Sequence, residues 1–181
     1  MRSALAELKE WSVEPLPASA ADVEETGATF IENAVQKAIA YSRHLDALTL
    51  ADDSGLCIDA LGGRPGVHSA RYAPTDQERI EKVLREMDAV PDDQRHARFV
   101  CALAVGDQGK CIWTVERRIH GWITRRASGS QGFGYDPIFR IPELRRTMAE
   151  LNPEEKNRVS HRGLALRELR MKLSSIGGGP L

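Results

Sequence analysis

Apolar positions three and four residues apart mark the clearest helix. Phe30, Ala34 and Ala38 form one row, and Ile31, Val35 and Ile39 form an adjoining one, so a single wide apolar face results. Thr29-x-x-Glu32 matches a capping box, and together these signals predict a helix over 29–45. Leu5 and Leu8 predict a shorter helix over 3–11, closed by Pro15 and Pro17. A further helix is predicted over 75–87, with Ile80, Val83, Leu84 and Met87 on its buried stripe and Glu78 completing a capping box behind Thr75. Leu164, Leu166, Leu169 and Leu173 predict a last helix over 158–173.

The strands read differently. Ala47-Leu48-Thr49-Leu50-Ala51 is a short apolar run that stops at Asp52-Asp53-Ser54-Gly55. Leu56 and Ile58 restart a strand, which Gly62-Gly63-Arg64-Pro65-Gly66 turns back. Phe99, Cys101, Leu103 and Val105 alternate at period two, and Asp107-Gln108-Gly109 supplies a hairpin turn into Cys111, Trp113 and Val115. Helices and strands mix without strict βαβ alternation, which predicts an α/β or α+β domain around a mixed sheet. The chain has no solenoid-length repeat and no low-complexity linker. The expectation is one domain over 1–174 and a flexible tail over 175–181 that ends in Gly177-Gly178-Gly179-Pro180-Leu181.

Composition narrows the class. A chain of 181 residues suits one ordinary domain. Its 25 Lys and Arg against 26 Asp and Glu argue against a basic nucleic-acid coat. Cys57, Cys101 and Cys111 form no C-x-x-C pair, which suits a reducing compartment better than a disulfide framework or a structural zinc site. The apolar runs are too short to span a bilayer and no signal-peptide core stands at the N-terminus, so a cytoplasmic protein without membrane or nucleic-acid partners is expected.

No P-loop, H-E-x-x-H, G-x-S-x-G or dinucleotide-binding motif occurs, so any phosphate site is built another way. Three clusters carry chemistry. Asp52-Asp53-Ser54-Gly55 places two carboxylates where a hard cation could sit, although the same residues make an ordinary solvated turn. Glu32 is equally explained by its capping role. Gly129-Ser130-Gln131-Gly132-Phe133-Gly134-Tyr135-Asp136-Pro137 sets an aromatic between glycines, either open for stacking on a planar ring or tucked into the core. Glu154-Glu155-Lys156-Asn157 and Ser160-His161-Arg162 bring cationic donors near a helix entrance, which fits an anionic or oxo-bearing ligand or a plain entrance capped by Ser160.

Taken in order, these stretches resemble the inosine/xanthosine triphosphate pyrophosphatase family. The resemblance rests on Thr29-Phe30-Ile31-Glu32-Asn33-Ala34, on Ala51-Asp52-Asp53-Ser54-Gly55-Leu56 and on the run from Asp59 to Tyr72. Arg98-Phe99 with Cys101, Gly132 to Phe139, Ala149-Glu150-Leu151, Glu155-Lys156-Asn157 and Ser160-His161-Arg162 continue it, so that it extends from about Leu5 to Leu173. It implies a mixed twisted β-sheet flanked by helices, two lobes with a central nucleotide cleft, and usually a homodimer. It also implies Mg²⁺-dependent hydrolysis of noncanonical purine nucleoside triphosphates (ITP, dITP, XTP) to the monophosphate and pyrophosphate. Asp53 is then the catalytic base, and Glu32, Asp52 and Asp53 are the metal carboxylates. Ser54 holds phosphate oxygens, Phe133 stacks on the purine, and Gly134, Tyr135, Asp136, Lys156, His161 and Arg162 complete the substrate pocket.

Two departures stand out. Family members place a β-strand and a Ser/Thr-x-Asn-x-x-Lys phosphate loop before the first helix, whereas this sequence opens with Met1-Arg2-Ser3-Ala4-Leu5, expected to fall within that helix. Ala127 replaces a usual proline. The first departure gives the expectation of weak turnover with the purine pocket retained. Two other classes stay open: a catalytically impaired nucleotide-binding relative, and a structural or interaction protein that keeps only the fold. Pyrophosphate release and nucleotide-dependent thermal stability separate them from an enzyme.

Overall fold

The computed structural model of the chain describes residues 12–45 and 47–176. The helix expected over 3–11 and residues 177–181 of the expected tail lie outside them. The chain divides into two compact units, one comprising Met1–Asp53, Cys101–Arg117 and Arg162–Leu181, the other Ser54–Val100 and Arg118–His161.

In the first unit, helix α1 (Phe30–Ser42) starts where its capping box predicts. The Thr29 side chain accepts from the Glu32 N–H, and the Glu32 carboxylate accepts in return. Its buried face carries Phe30, Ala34 and Ala38. Strand β1 (Thr49–Ile58) opens in this unit, and Thr49 Oγ1 donates to the Ala38 carbonyl at 2.9 Å. Strands β2 (His96–Asp107) and β3 (Lys110–Ile123) meet at the predicted hairpin. Gln108 and Gly109 have φ of 45° and 77°, the left-handed pair a two-residue turn requires. The core of this unit joins Cys101, Leu103, Val105 and Val115 to Ala165, Leu166 and Leu169.

The second unit has its own core. Leu56 and Ile58 pack with Ile80 and Val83 of helix α2 (Asp76–Glu86), with Met87 at its C-cap, and with Phe99, Ile138 and Phe139. The Phe99 and Phe139 ring centroids are 4.4 Å apart. Thr75 and Glu78 form the predicted capping box of α2. Strands β4 (Phe139–Ile141) and β5 (Arg146–Thr147) complete a five-stranded sheet of order β1-β2-β3-β4-β5. The β3–β4 and β4–β5 pairings are antiparallel. The mixed α/β character expected from the sequence is therefore the observed one, with sheet neighbours following chain order.

Three expectations are corrected. Asp52-Asp53-Ser54-Gly55 does not end a strand, because β1 runs unbroken through it. Charged residues are tolerated mid-strand here because each aspartate meets a cationic side chain, as described below. The single helix expected over 158–173 is two: α3 (Pro153–Val159) and α4 (His161–Ile176). Asn152 caps α3 with Glu155, and Ser160 breaks the run with an extended backbone, φ −75° and ψ 152°. Helix α4 also continues to Ile176, past the expected boundary at 174.

Candidate active site

In the first unit, β1 sends Asp52 and Asp53 to opposite faces, as successive strand residues must go. Asp53 meets α1. Its Oδ2 accepts from the amide of Asn33 at 3.2 Å, and its Oδ1 accepts from Lys37 Nζ at 3.2 Å. Asn33 and Lys37 are one helical turn apart, so both donors lie on the α1 face against the strand. Lys37 Nζ also bonds Glu25 Oε1 and the Asp52 carbonyl, each at 2.9 Å. Asp53 is only 8% exposed, and that burial raises its carboxyl above the ordinary value against the pull of Lys37 and Asn33. Burial acts to lower Lys37, but the Glu25 hydrogen bond and the Asp53 charge outweigh it and raise the ammonium above 10.5.

Asp52 meets α4 instead. Arg162 Nε donates to Oδ2 at 2.7 Å and Nη2 donates to Oδ1 at 3.1 Å, and Cys101 Sγ lies 3.8 Å from Oδ2. Glu32 Oε2 accepts from the N–H groups of Ala28 and Thr29 at 2.7 and 3.1 Å. Among the described residues, no group of three or more His, Cys, Asp or Glu is gathered to hold a metal ion. The oxygen-only donors nonetheless fit Mg²⁺, which takes one or two carboxylates and completes its shell with water and substrate phosphates.

In the second unit, Phe133 is 61% exposed, so the glycine-flanked aromatic stands open. Gly132 and Gly134 on either side have φ of 80° and 58°. Asp136, buried, accepts from the Phe133 N–H at 2.8 Å and from Lys156 Nζ through the same oxygen. Lys156 Nζ lies 4.5 Å from the centre of the Phe133 ring. Gly134 N–H donates to Asp76 Oδ2 at 2.7 Å, and Tyr135 OH donates to the Ser69 carbonyl at 2.9 Å. Tyr135 therefore turns its side chain into the core. His161 is buried and stacks on Phe99, with centroids 4.7 Å apart and planes 15° from parallel. Ser54 sits half-buried on β1 in this unit.

The structure thus assembles Phe133, Gly134, Asp136 and Lys156 into one constellation, and pairs Asp52 with Arg162. Lys37, Asn33, Glu25 and Asp76 were missed by sequence reading. For Asn33 and Lys37 a signal existed, since polar residues four apart interrupt the apolar face of an otherwise well-patterned helix.

The first unit thus holds a buried carboxylate braced by an ammonium and an amide, and the second an open aromatic beside a lysine. The chain belongs to the Ham1 family, which it matches over residues 1–172. It is 56% identical over 163 residues to the dITP/XTP pyrophosphatase of Geobacillus kaustophilus, covering 88% of this chain and 80% of that one. It is 52% identical over 151 residues to the dITP/XTP pyrophosphatase of Bacillus subtilis, covering 82% and 76%. Among solved structures, a HAM1 protein from Coxiella burnetii superposes with a TM-score of 0.82 at 46% identity, covering 87% of this chain and 82% of that one.

Proposed function

We propose that this chain hydrolyses noncanonical purine nucleoside triphosphates (ITP, dITP and XTP) to the monophosphate and pyrophosphate. The observation that carries the reading is Asp53, a buried carboxylate whose two oxygens are fixed by Lys37 and Asn33. Relatives at 56% and 52% identity named dITP/XTP pyrophosphatases support it.

Water attacks the α-phosphorus in line. A new P–O bond forms, the bridging α–β oxygen bond breaks, and pyrophosphate departs with that oxygen. Asp53 takes the proton from the attacking water, and its raised pKa makes it a better base than a solvated aspartate. Asp53 and Glu32 would hold Mg²⁺, whose chemistry is to offset charge on the phosphate oxygens. Ser54 donates to phosphate oxygens. Phe133 stacks on the purine, and Asp136 with Lys156 holds the loop that presents it. Arg162, aimed by Asp52, donates to the 6-oxygen of hypoxanthine or xanthine and is mismatched against the 6-amino group of adenine. His161, the residue before Arg162 in the chain, is a further substrate-binding residue in this reading. A homodimer located in the cytoplasm is part of the same reading and rests on the family resemblance.

The test is product analysis with ITP, XTP and ATP in the presence of Mg²⁺. IMP or XMP appearing with stoichiometric pyrophosphate, and ATP cleaved at least tenfold more slowly, is the expected result. Release of orthophosphate, or equal rates on ATP, would overturn it.

A further inference from the structure

The aromatic loop is held from outside itself by a residue that sequence reading passed over. The Gly134 N–H, next to Phe133, donates to Asp76 Oδ2 at 2.7 Å. Asp76 is the first residue of α2, 58 positions away in the chain. Its other oxygen accepts from Arg79 Nη1 at 2.6 Å. Arg79 is itself fixed, because its Nε donates to the Ala73 carbonyl at 2.9 Å and its Nη2 to that of Pro74 at 3.4 Å. A chain of bonds therefore runs from the entrance of α2 through Arg79 and Asp76 to the glycine after Phe133.

The Phe133 ring has solvent over most of its surface, so side-chain packing alone cannot set its orientation. Lys156 Nζ, 4.5 Å from the ring centre, contacts it, and the backbone of the loop constrains it further. Two successive N–H groups are pinned, Phe133 to Asp136 Oδ2 and Gly134 to Asp76 Oδ2, and Tyr135 anchors the next position to Ser69. Asp136 and Tyr135 hold the loop to the core. Asp76 ties the peptide immediately after the stacking ring to the entrance of α2.

We infer that Asp76 is a positioning residue for purine recognition, fixing the Gly134 peptide so that the face of the Phe133 ring is presented for stacking. The inference rests on the proposed stacking role of Phe133 and adds the residue that fixes it. It does not touch the reacting atoms, so its effect belongs in KM and not in kcat.

A double-mutant cycle tests it, with KM and kcat for ITP measured in the parent, Asp76→Ala, Phe133→Ala and the double variant. Asp76→Ala should raise KM by about tenfold, the scale of a lost hydrogen bond to a charged group, and leave kcat within about twofold. In the Phe133→Ala background the same change should raise KM by less than about twofold, because the ring it positions is gone. Asp76→Asn, which keeps an oxygen acceptor for Gly134 and serves if the alanine variant does not fold, should raise KM less than Asp76→Ala does. If Phe133→Ala itself leaves KM unchanged, the stacking role fails and this inference fails with it. If Phe133→Ala raises KM but Asp76→Ala does not, or if the two effects simply multiply, only the positioning role is overturned.

Discussion

Arg162 grips Asp52 with both forks of its guanidinium, Nε to Oδ2 at 2.7 Å and Nη2 to Oδ1 at 3.1 Å, while the neighbouring Asp53 turns to Lys37 on the other face of the strand. The two aspartates are adjacent in sequence and divided in their partners. A bidentate Arg–carboxylate pair fixes the guanidinium plane as well as its position. Arg162→Ala is expected to narrow the preference for ITP over ATP, and Asp52→Ala should do the same by letting Arg162 swing. Both should lower the ratio of kcat/KM values about tenfold, as the loss of one charge-assisted bond allows. The Mg²⁺ concentration for half-maximal rate should not move in Asp52→Ala. A large rise in that concentration would make Asp52 a metal ligand in the first place.

Asp53→Asn is expected to lower kcat by about 10²- to 10⁴-fold, the range for loss of a general base, with a much smaller change in KM. Stability should fall slightly. Both Asp53 oxygens accept, from Asn33 and from Lys37, so an amide must turn its NH₂ toward one of these donors. A loss of about 1 kcal/mol corresponds to roughly 2–4 °C in a domain of this size. Pyrophosphate release and a thermal melt check the two halves separately. A variant that melts like the parent and turns over ITP at the parental rate removes Asp53 from the mechanism.

Much of the fold was legible because its signals are local. Thr29 with Glu32 and Thr75 with Glu78 announce α1 and α2 within four residues, and Gln108-Gly109 announces the β2–β3 hairpin. The continuity of β1 was not legible. Asp-Asp-Ser-Gly is turn chemistry by itself, and what keeps it extended are Lys37, 16 positions away from Asp53, and Arg162, 110 positions away from Asp52. The break at Ser160 was hidden for the opposite reason, since the leucine spacing on its far side is strong enough to suggest one long helix. The candidate chemistry of Phe133 was visible in its flanking glycines. Its support from Asp76 was not, because no local pattern links a helix entrance to a loop 58 residues on.

Tyr72 gives a pH prediction. Its hydroxyl donates to Glu86 Oε2 at 2.6 Å and accepts from Arg64 Nη1 at 3.2 Å. Burial, together with Glu86, pushes the phenol up to about 12 from 10.0. The unfolded chain therefore ionises first as pH rises. Stability from this group is complete below pH 10 and is lost between about 10 and 12. Tyr135 is raised by burial as well and acts in the same direction. In Tyr72→Phe the thermal midpoint should fall less steeply above pH 10 than in the parent, without becoming flat. Identical slopes would mean that the Tyr72 phenol is not shifted.

Gly132 makes the strictest demand in the aromatic loop. A Cβ there would lie 2.1 Å from Asp136 Oδ2 and 2.8 Å from Lys156 Nζ, on a backbone with φ of 80°. Asp136 cannot yield cheaply, because it is buried and its Oδ2 already holds both Lys156 and the Phe133 N–H. Gly134 differs. Its φ of 58° also favours glycine, but a Cβ there meets nothing within 4 Å. Gly134→Ala should therefore cost only the left-handed strain, about 1–2 kcal/mol, and raise KM for ITP modestly. Gly132→Ala adds displacement of the Asp136–Lys156 pair to the same strain. Its KM should rise at least as far as that of Phe133→Ala, on the scale of about 1–3 kcal/mol for one stacked base. Measuring both alanine variants with ITP decides the matter. Equal effects would mean that backbone strain alone, and not the contact with Asp136, accounts for the glycine at 132.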